Sequence, residues 1–124
     1  MINILIIENE FASIKDPIDT LAILYNGDFH YDLVAISQAI KWNELDCYDG
    51  IFVDISLAPR TEMDGFGILS KFKESYPTLL TKVAIITGNH VIKKVMKEYG
   101  FADNEFKIFQ KPLKYMDLYR FINK

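Results

Sequence analysis

Short apolar runs alternate with longer amphipathic stretches from one end of the chain to the other. Five of the runs are four to six residues long and rich in β-branched or aromatic side chains, which favours buried strands of a parallel sheet. These strands are predicted at residues 2–7, 31–36, 50–53, 83–86 and 107–110. Between and after them, apolar positions at helical spacing predict helices at residues 16–25, 37–45, 64–76, 90–99 and 113–123.

The first helix carries signals at both of its ends. Asp16 followed by Pro17 is typical of an N-cap and a first helical position, and Asn26-Gly27 is typical of a helix end. Residues 11–15 form either a loop or an earlier turn of the same helix, since Pro17 would kink a continuous one.

The regular alternation of strands and helices predicts a single α/β domain over residues 1–124. Parallel strands joined by right-handed crossovers place helices on both faces of the sheet. For five strands in a chain of this length we predict a doubly wound, flavodoxin-like sheet with the strand order 2-1-3-4-5.

Composition excludes several classes of protein. The 124 residues are 50% hydrophobic and 25% charged, which is ordinary for a globular domain that needs no covalent staple. A single cysteine, Cys47, rules out an internal disulfide, and the net charge of -3 argues against direct nucleic-acid binding. No apolar run is long enough to span a membrane and no secretory signal is visible, so we expect a cytoplasmic protein.

Polar residues follow four of the predicted strands, at the edge of the sheet where α/β proteins bind ligands. They are Glu8-Asn9-Glu10, Asp54, Thr87 and Lys111-Pro112. Carboxylates gathered at one edge need a cation, and oxygen ligands of this kind suit Mg²⁺. A carboxylate held against Mg²⁺ can act as a nucleophile and form an aspartyl phosphate, and Asp54 is the best candidate because it ends an apolar strand.

The chain resembles, over its whole length, the receiver domains of bacterial two-component response regulators. The segments that carry the resemblance are ILIIENE (4–10), YDGIFVDISL (48–57), MDGF (63–66), VAIITG (83–88) and QKPL (110–113). Each segment alone is a weak signal, but their order and their positions at the strand ends are specific. The resemblance implies a signalling module rather than an enzyme acting on a separate substrate.

The resemblance also implies roles for individual residues. Asp54 would accept a phosphoryl group from a phosphohistidine on a histidine kinase or phosphotransfer protein. Thr87 would hydrogen-bond that group, Lys111 would pair with it, and the bond before Pro112 would be cis.

For the metal, the resemblance implies Mg²⁺ bound by the side chains of Glu8, Asn9 and Asp54 and by the backbone carbonyl of Ser56. Phosphorylation would shift a two-state equilibrium at a surface formed by the fourth predicted helix, the fifth strand and the fifth helix. That surface would bind a downstream protein partner or form a weak dimer of an otherwise monomeric chain.

The sequence departs from the family's pattern at several positions. Asn9 stands where the family has a second acid, so Mg²⁺ affinity is expected to be lower. The loop from Leu57 to Met63 is about three residues longer than the commonest pattern, and Ile108 replaces an aromatic residue that takes part in switching. The alternative hypothesis is therefore a pseudo-receiver, which binds partners without phosphorylation.

A ligand-binding or hydrolytic flavodoxin-like protein is a weaker alternative. A protein of that kind would have a glycine-rich phosphate loop after its first strand, where this chain has Glu8-Asn9-Glu10. This chain also lacks the Gly-x-Ser-x-Gly motif that a hydrolase of this class would carry.

Overall fold

The computed structural model describes residues 1–57 and 59–124 and shows one sheet of five parallel strands. The strands are β1 (Ile2–Ile7), β2 (Phe29–Val34), β3 (Gly50–Asp54), β4 (Val83–Thr87) and β5 (Lys107–Gln110). Their order across the sheet is β2-β1-β3-β4-β5, and every neighbouring pair is parallel. The predicted doubly wound fold class is therefore confirmed, although β2 begins and ends two residues earlier than predicted.

Four α-helices flank the sheet in the described part of the chain: α1 (Lys15–Leu24), α2 (Gly65–Ser75), α3 (Ile92–Glu98) and α4 (Tyr115–Ile122). α1 and α4 cover one face, where Ile18, Leu21 and Leu118 pack on the sheet. α2 and α3 cover the other face, where Ile68 and Met96 lie in the second core. Helices on both faces explain why β3 and β4 are buried along their whole length.

The predicted helix at residues 37–45 is wrong. This segment forms two 3₁₀ helices, Ser37–Ala39 and Trp42–Cys47, with extended backbone at Ile40 between them. Tertiary packing overrides the helical pattern, because the Trp42 ring lies 5.0 Å from that of Phe72 and 5.4 Å from that of Tyr76. A groove of about 720 Å³ lies between β2 and this segment.

Residues 11–15 are divided between two elements. Phe11–Ser13 forms a separate 3₁₀ turn, and α1 begins at Lys15, so Pro17 lies in the first turn of the helix, where it is tolerated. The fourth and fifth predicted helices correspond to α3 and α4. No helix in residues 1–57 and 59–124 has the length and apolar character needed to cross a membrane.

Candidate functional site

Polar side chains at the carboxyl ends of adjacent strands meet at one edge of the sheet. Glu8, Asp54 and Thr87 follow or end β1, β3 and β4, and their exposed fractions are only 1%, 5% and 3%. Lys111 follows β5, and its side chain is 17% exposed. Buried polar groups of this kind require partners, and Lys111 is the shared partner of Glu8 and Asp54.

The Lys111 ammonium lies between the two buried carboxylates. Its Nζ atom donates to Oε1 of Glu8 at 2.6 Å and to Oδ2 of Asp54 at 3.0 Å. The backbone holds Lys111 in place, because its N–H donates to the carbonyl of Thr87 at 2.7 Å. The peptide bond from Lys111 to Pro112 is cis, as expected.

Burial perturbs the protonation of this cluster. Desolvation, helped by the neighbouring Asp54 carboxylate and opposed by Lys111, raises the pKa of Glu8 from 4.5 to about 8. Burial works against the charge of Lys111, but the hydrogen bonds to Glu8 and Asp54 outweigh it and raise the pKa of the lysine. One ammonium thus serves two buried carboxyl groups, and burial favours the neutral form of Glu8.

An oxygen of Glu8 lacks a partner. Its Oε2 atom is buried and makes no hydrogen bond within residues 1–57 and 59–124. Asp54 has one oxygen on Lys111 and the other, Oδ1, accepting the Ser56 N–H at 2.9 Å. Two buried carboxylates with an orphaned oxygen are a donor set that suits a hard divalent cation such as Mg²⁺.

The other residues of the acidic turn lie outside this buried cluster. Asn9 and Glu10 are both exposed, and in the described residues the Asn9 side chain makes no hydrogen bond. The Ser13 hydroxyl bonds to the Glu10 carbonyl at 2.8 Å and lies 3.3 Å from Oε1 of Glu8. Ser13 was not among the predicted site residues. It lies in a short 3₁₀ turn, and no sequence pattern marks it as a partner of Glu8.

Thr87 lies at the end of β4 with its hydroxyl at the sheet edge. Its Oγ1 atom accepts the N–H of Asn89 at 3.0 Å, which fixes the turn after the strand. An Asx turn follows, in which the Asn89 side chain accepts the N–H of Val91 at 2.9 Å. The hydroxyl hydrogen of Thr87 is therefore not required by this turn.

The start of α2 is packed against the end of β3. Asp64 caps the helix by accepting the N–H of Gly67 at 2.9 Å, and the N–H of Gly65 donates to the carbonyl of Ile55 at 3.2 Å. A Cβ atom on Gly65 would lie 2.4 Å from Cα of Ile55 and 2.6 Å from the carbonyl oxygen of Asp54. Glycine is thus the residue that lets the helix approach the backbone of Asp54.

Comparison with known proteins identifies the fold. No family model matches the chain, and no curated protein matches it either. A CheY-like response regulator receiver domain protein from Methanospirillum hungatei JF-1 superposes with a TM-score of 0.69 at 21% identity, covering 99% of this chain and 91% of that one. A response regulator receiver protein from Sinorhizobium medicae WSM419 gives 0.68 at 21% identity, with 98% and 91% covered.

The receiver domain of NtrX from Brucella abortus gives a TM-score of 0.65 at 22% identity and covers 98% of both chains. In a longer NtrX structure, the match spans 97% of this chain but 25% of that one, so the similarity is to its receiver-sized part. The chain has the receiver-domain fold over nearly its full length.

Proposed function

We propose that this chain is the phosphoacceptor receiver of a two-component phosphorelay, working in the cytoplasm. The observation that carries the proposal is the buried Asp54 carboxylate with the Lys111 ammonium 3.0 Å from it, at the carboxyl edge of a receiver-type sheet. The phosphodonor would be a phosphohistidine on a histidine kinase or phosphotransfer protein.

In this proposal an oxygen of Asp54 attacks the phosphorus of the phosphohistidine. The new O–P bond forms as the N–P bond breaks, and the electron pair returns to the imidazole of the donor. Lys111 then exchanges its contact with Asp54 for one with the phosphoryl oxygens, and the Thr87 hydroxyl donates to the same group.

Mg²⁺ fits the donor set of this site. The residues that would hold it are Glu8, Asn9 and Asp54 through their side chains and Ser56 through its backbone carbonyl. When bound, the ion would neutralise charge on the carboxylates and on the transferred phosphoryl oxygens. The orphaned buried oxygen of Glu8 supports this assignment.

The charges of the chain support a partner surface on the α3–β5 side. Residues 1–70 contain twelve acidic and three basic side chains, whereas residues 71–124 contain five acidic and eleven basic. Because β2 and β5 are opposite edges of the sheet, this difference separates the charges in space. Lys93, Lys94 and Lys97 of α3 and Lys107 of β5 are all exposed, so the surface formed by α3, β5 and α4 suits an acidic downstream partner.

The test is intact mass after incubation with acetyl phosphate and Mg²⁺, beside an Asp54→Ala control. A phosphate adduct on the parent and none on the control is the expected result. An adduct that persists in Asp54→Ala would contradict the assignment of the phosphoacceptor.

The second candidate is a pseudo-receiver that binds its partners without phosphate. Asn9 supports it, since an exposed amide brings no charge to the metal site. Under this alternative neither acetyl phosphate nor a phosphohistidine donor modifies the chain, and Asn9→Asp restores the reaction.

A further inference from the structure

The loop that follows Asp54 is fastened to the segment after β2 by reciprocal hydrogen bonds. The N–H of Ser37 donates to Oγ1 of Thr61 at 2.8 Å, and the N–H of Met63 donates to Oγ of Ser37 at 2.9 Å. The Gln38 amide accepts the N–H of Glu62 and donates to the carbonyl of Arg60, both at 3.0 Å. We call Ser37, Gln38 and Thr61 the loop latch.

Each side chain of the latch bonds a backbone group of the opposite segment. Ser37 is 1% exposed, yet its hydroxyl does not cap the 3₁₀ helix that it begins. Instead it satisfies a backbone group of a loop 26 residues away in the chain. Thr61 adds a bond from its hydroxyl to the Met63 carbonyl at 2.7 Å, so the turn itself is closed.

The latch spans the end of β1. In the sheet, β1 lies between β2 and β3, so a link from the residues after β2 to the loop after β3 reaches across the position of β1. At its other end the same loop is fixed by the bond from the Gly65 N–H to the Ile55 carbonyl at 3.2 Å. Ser56 therefore lies in a segment whose two ends are both anchored.

We propose that Ser37, Gln38 and Thr61 are positioning residues that hold the Ser56 carbonyl in place for Mg²⁺. This inference rests on the proposed function, because it concerns the metal site proposed there. Holding both ends of this segment before the ion arrives reduces the conformational entropy that is lost on binding, which raises affinity. In this chain the latch offsets part of the Mg²⁺ affinity that is lost because Asn9 carries no charge.

The direct test is calorimetric titration of the full chain with MgCl₂. Thr61→Val and Ser37→Ala each remove hydrogen bonds of the latch, and we expect the dissociation constant for Mg²⁺ to rise roughly three- to tenfold in each. Thr61→Ser keeps the hydroxyl and is expected to bind as the parent does. Ser75→Ala and Thr78→Val remove exposed hydroxyls elsewhere and serve as matched controls.

A second readout separates positioning from general loosening. The Asp54 phosphorylation rate with acetyl phosphate is measured against Mg²⁺ concentration, and the variants are expected to need more Mg²⁺ but to reach the parental rate within about twofold at saturation. Urea unfolding identifies the variants that remain folded, and the partly exposed Thr61 makes Thr61→Val the safer of the two.

The outcomes of this test are distinct from those of the proposed function. Parental Mg²⁺ affinity in folded Thr61→Val, or a lower maximal rate with unchanged affinity, would overturn the latch. A parent that is phosphorylated without saturable Mg²⁺ binding would overturn it as well. Latch-dependent Mg²⁺ binding in a chain that never accepts phosphate would uphold the latch and refute the proposed function.

Discussion

The Nζ atom of Lys111 lies 2.6 Å from Oε1 of Glu8, a residue 103 positions away in the chain. The contact joins the turn after β1 to the turn after β5, and β3 and β4 lie between these two strands in the sheet. The same ammonium also reaches Asp54. Lys111 is thus the shared counterion of two buried carboxylates, and the stability of the site depends on it.

Lys111→Met is expected to lower the free energy of unfolding by about 3 kcal/mol, because it leaves two buried carboxylates without a counterion. Urea unfolding without Mg²⁺ at pH 8 measures the change. Lys114→Met removes an exposed lysine from the same turn and is expected to change stability by less than about 0.5 kcal/mol. Adding Glu8→Gln to Lys111→Met should restore part of the loss, and strictly additive effects would contradict the shared-counterion interpretation.

The raised pKa of Glu8 predicts how stability depends on pH. Between about pH 5 and 8 the folded protein keeps a proton on Glu8 that the unfolded chain, with its ordinary value of 4.5, has released. The folded state therefore binds more protons, and the free energy of unfolding falls as pH rises through this window, by roughly 1–3 kcal/mol. The measurement is urea unfolding at several pH values in the presence of a metal chelator.

Glu8→Gln is the control for that pH dependence, since an amide imitates the protonated carboxyl and does not titrate. We expect its stability to change little over the same window. The two other carboxyls with perturbed values, Asp32 and Glu105, have pKa values below the ordinary range and titrate at lower pH. A parental slope retained in Glu8→Gln would show that another group is responsible.

Much of the fold follows from local sequence patterns. The five apolar runs identified the strands because a sheet covered on both faces selects continuous β-branched segments such as residues 83–86. The positions of Asp54, Thr87 and Lys111 followed from topology alone, since parallel strands present their carboxyl ends at one edge. Their proximity could therefore be expected before any distance was known.

What could not be predicted depends on contacts between distant residues. The segment at 37–45 has apolar positions that suit a helix, but the stacking of Trp42 on Tyr76 and the bonds of Ser37 to the loop at 61–63 decide its conformation. Nothing local in the sequence marks Ser37 or Thr61 as partners. The pKa of Glu8 likewise depends on its burial, and burial can be assessed only from the folded structure.

Gly65→Ala is expected to destabilise the protein and disturb Asp54 together. The added Cβ would clash with the backbone of Ile55 and Asp54, so we expect a loss of about 2–4 kcal/mol and slower phosphorylation by acetyl phosphate. Gly88→Ala is the matched control, because nothing lies within 4 Å of its Cβ position. Thermal unfolding compares the two, and equal melting temperatures would contradict the close approach of α2 to β3.

Asn9→Asp is expected to strengthen Mg²⁺ binding by about tenfold or more, because a carboxylate replaces a neutral amide next to Glu8 in the turn after β1. The measurement is calorimetric titration with MgCl₂ at pH 7.5. The control is Asn43→Asp, which adds the same charge at an exposed position in the 3₁₀ helix Trp42–Cys47. In the absence of the ion, the added carboxylate has no lysine of its own, so Asn9→Asp should be slightly less stable than the parent. Lower stability without Mg²⁺ together with higher Mg²⁺ affinity in Asn9→Asp would identify Asn9 as a metal-site residue. Equal Mg²⁺ affinity in the parent and both variants would mean that the turn after β1 contributes to metal binding only through Glu8.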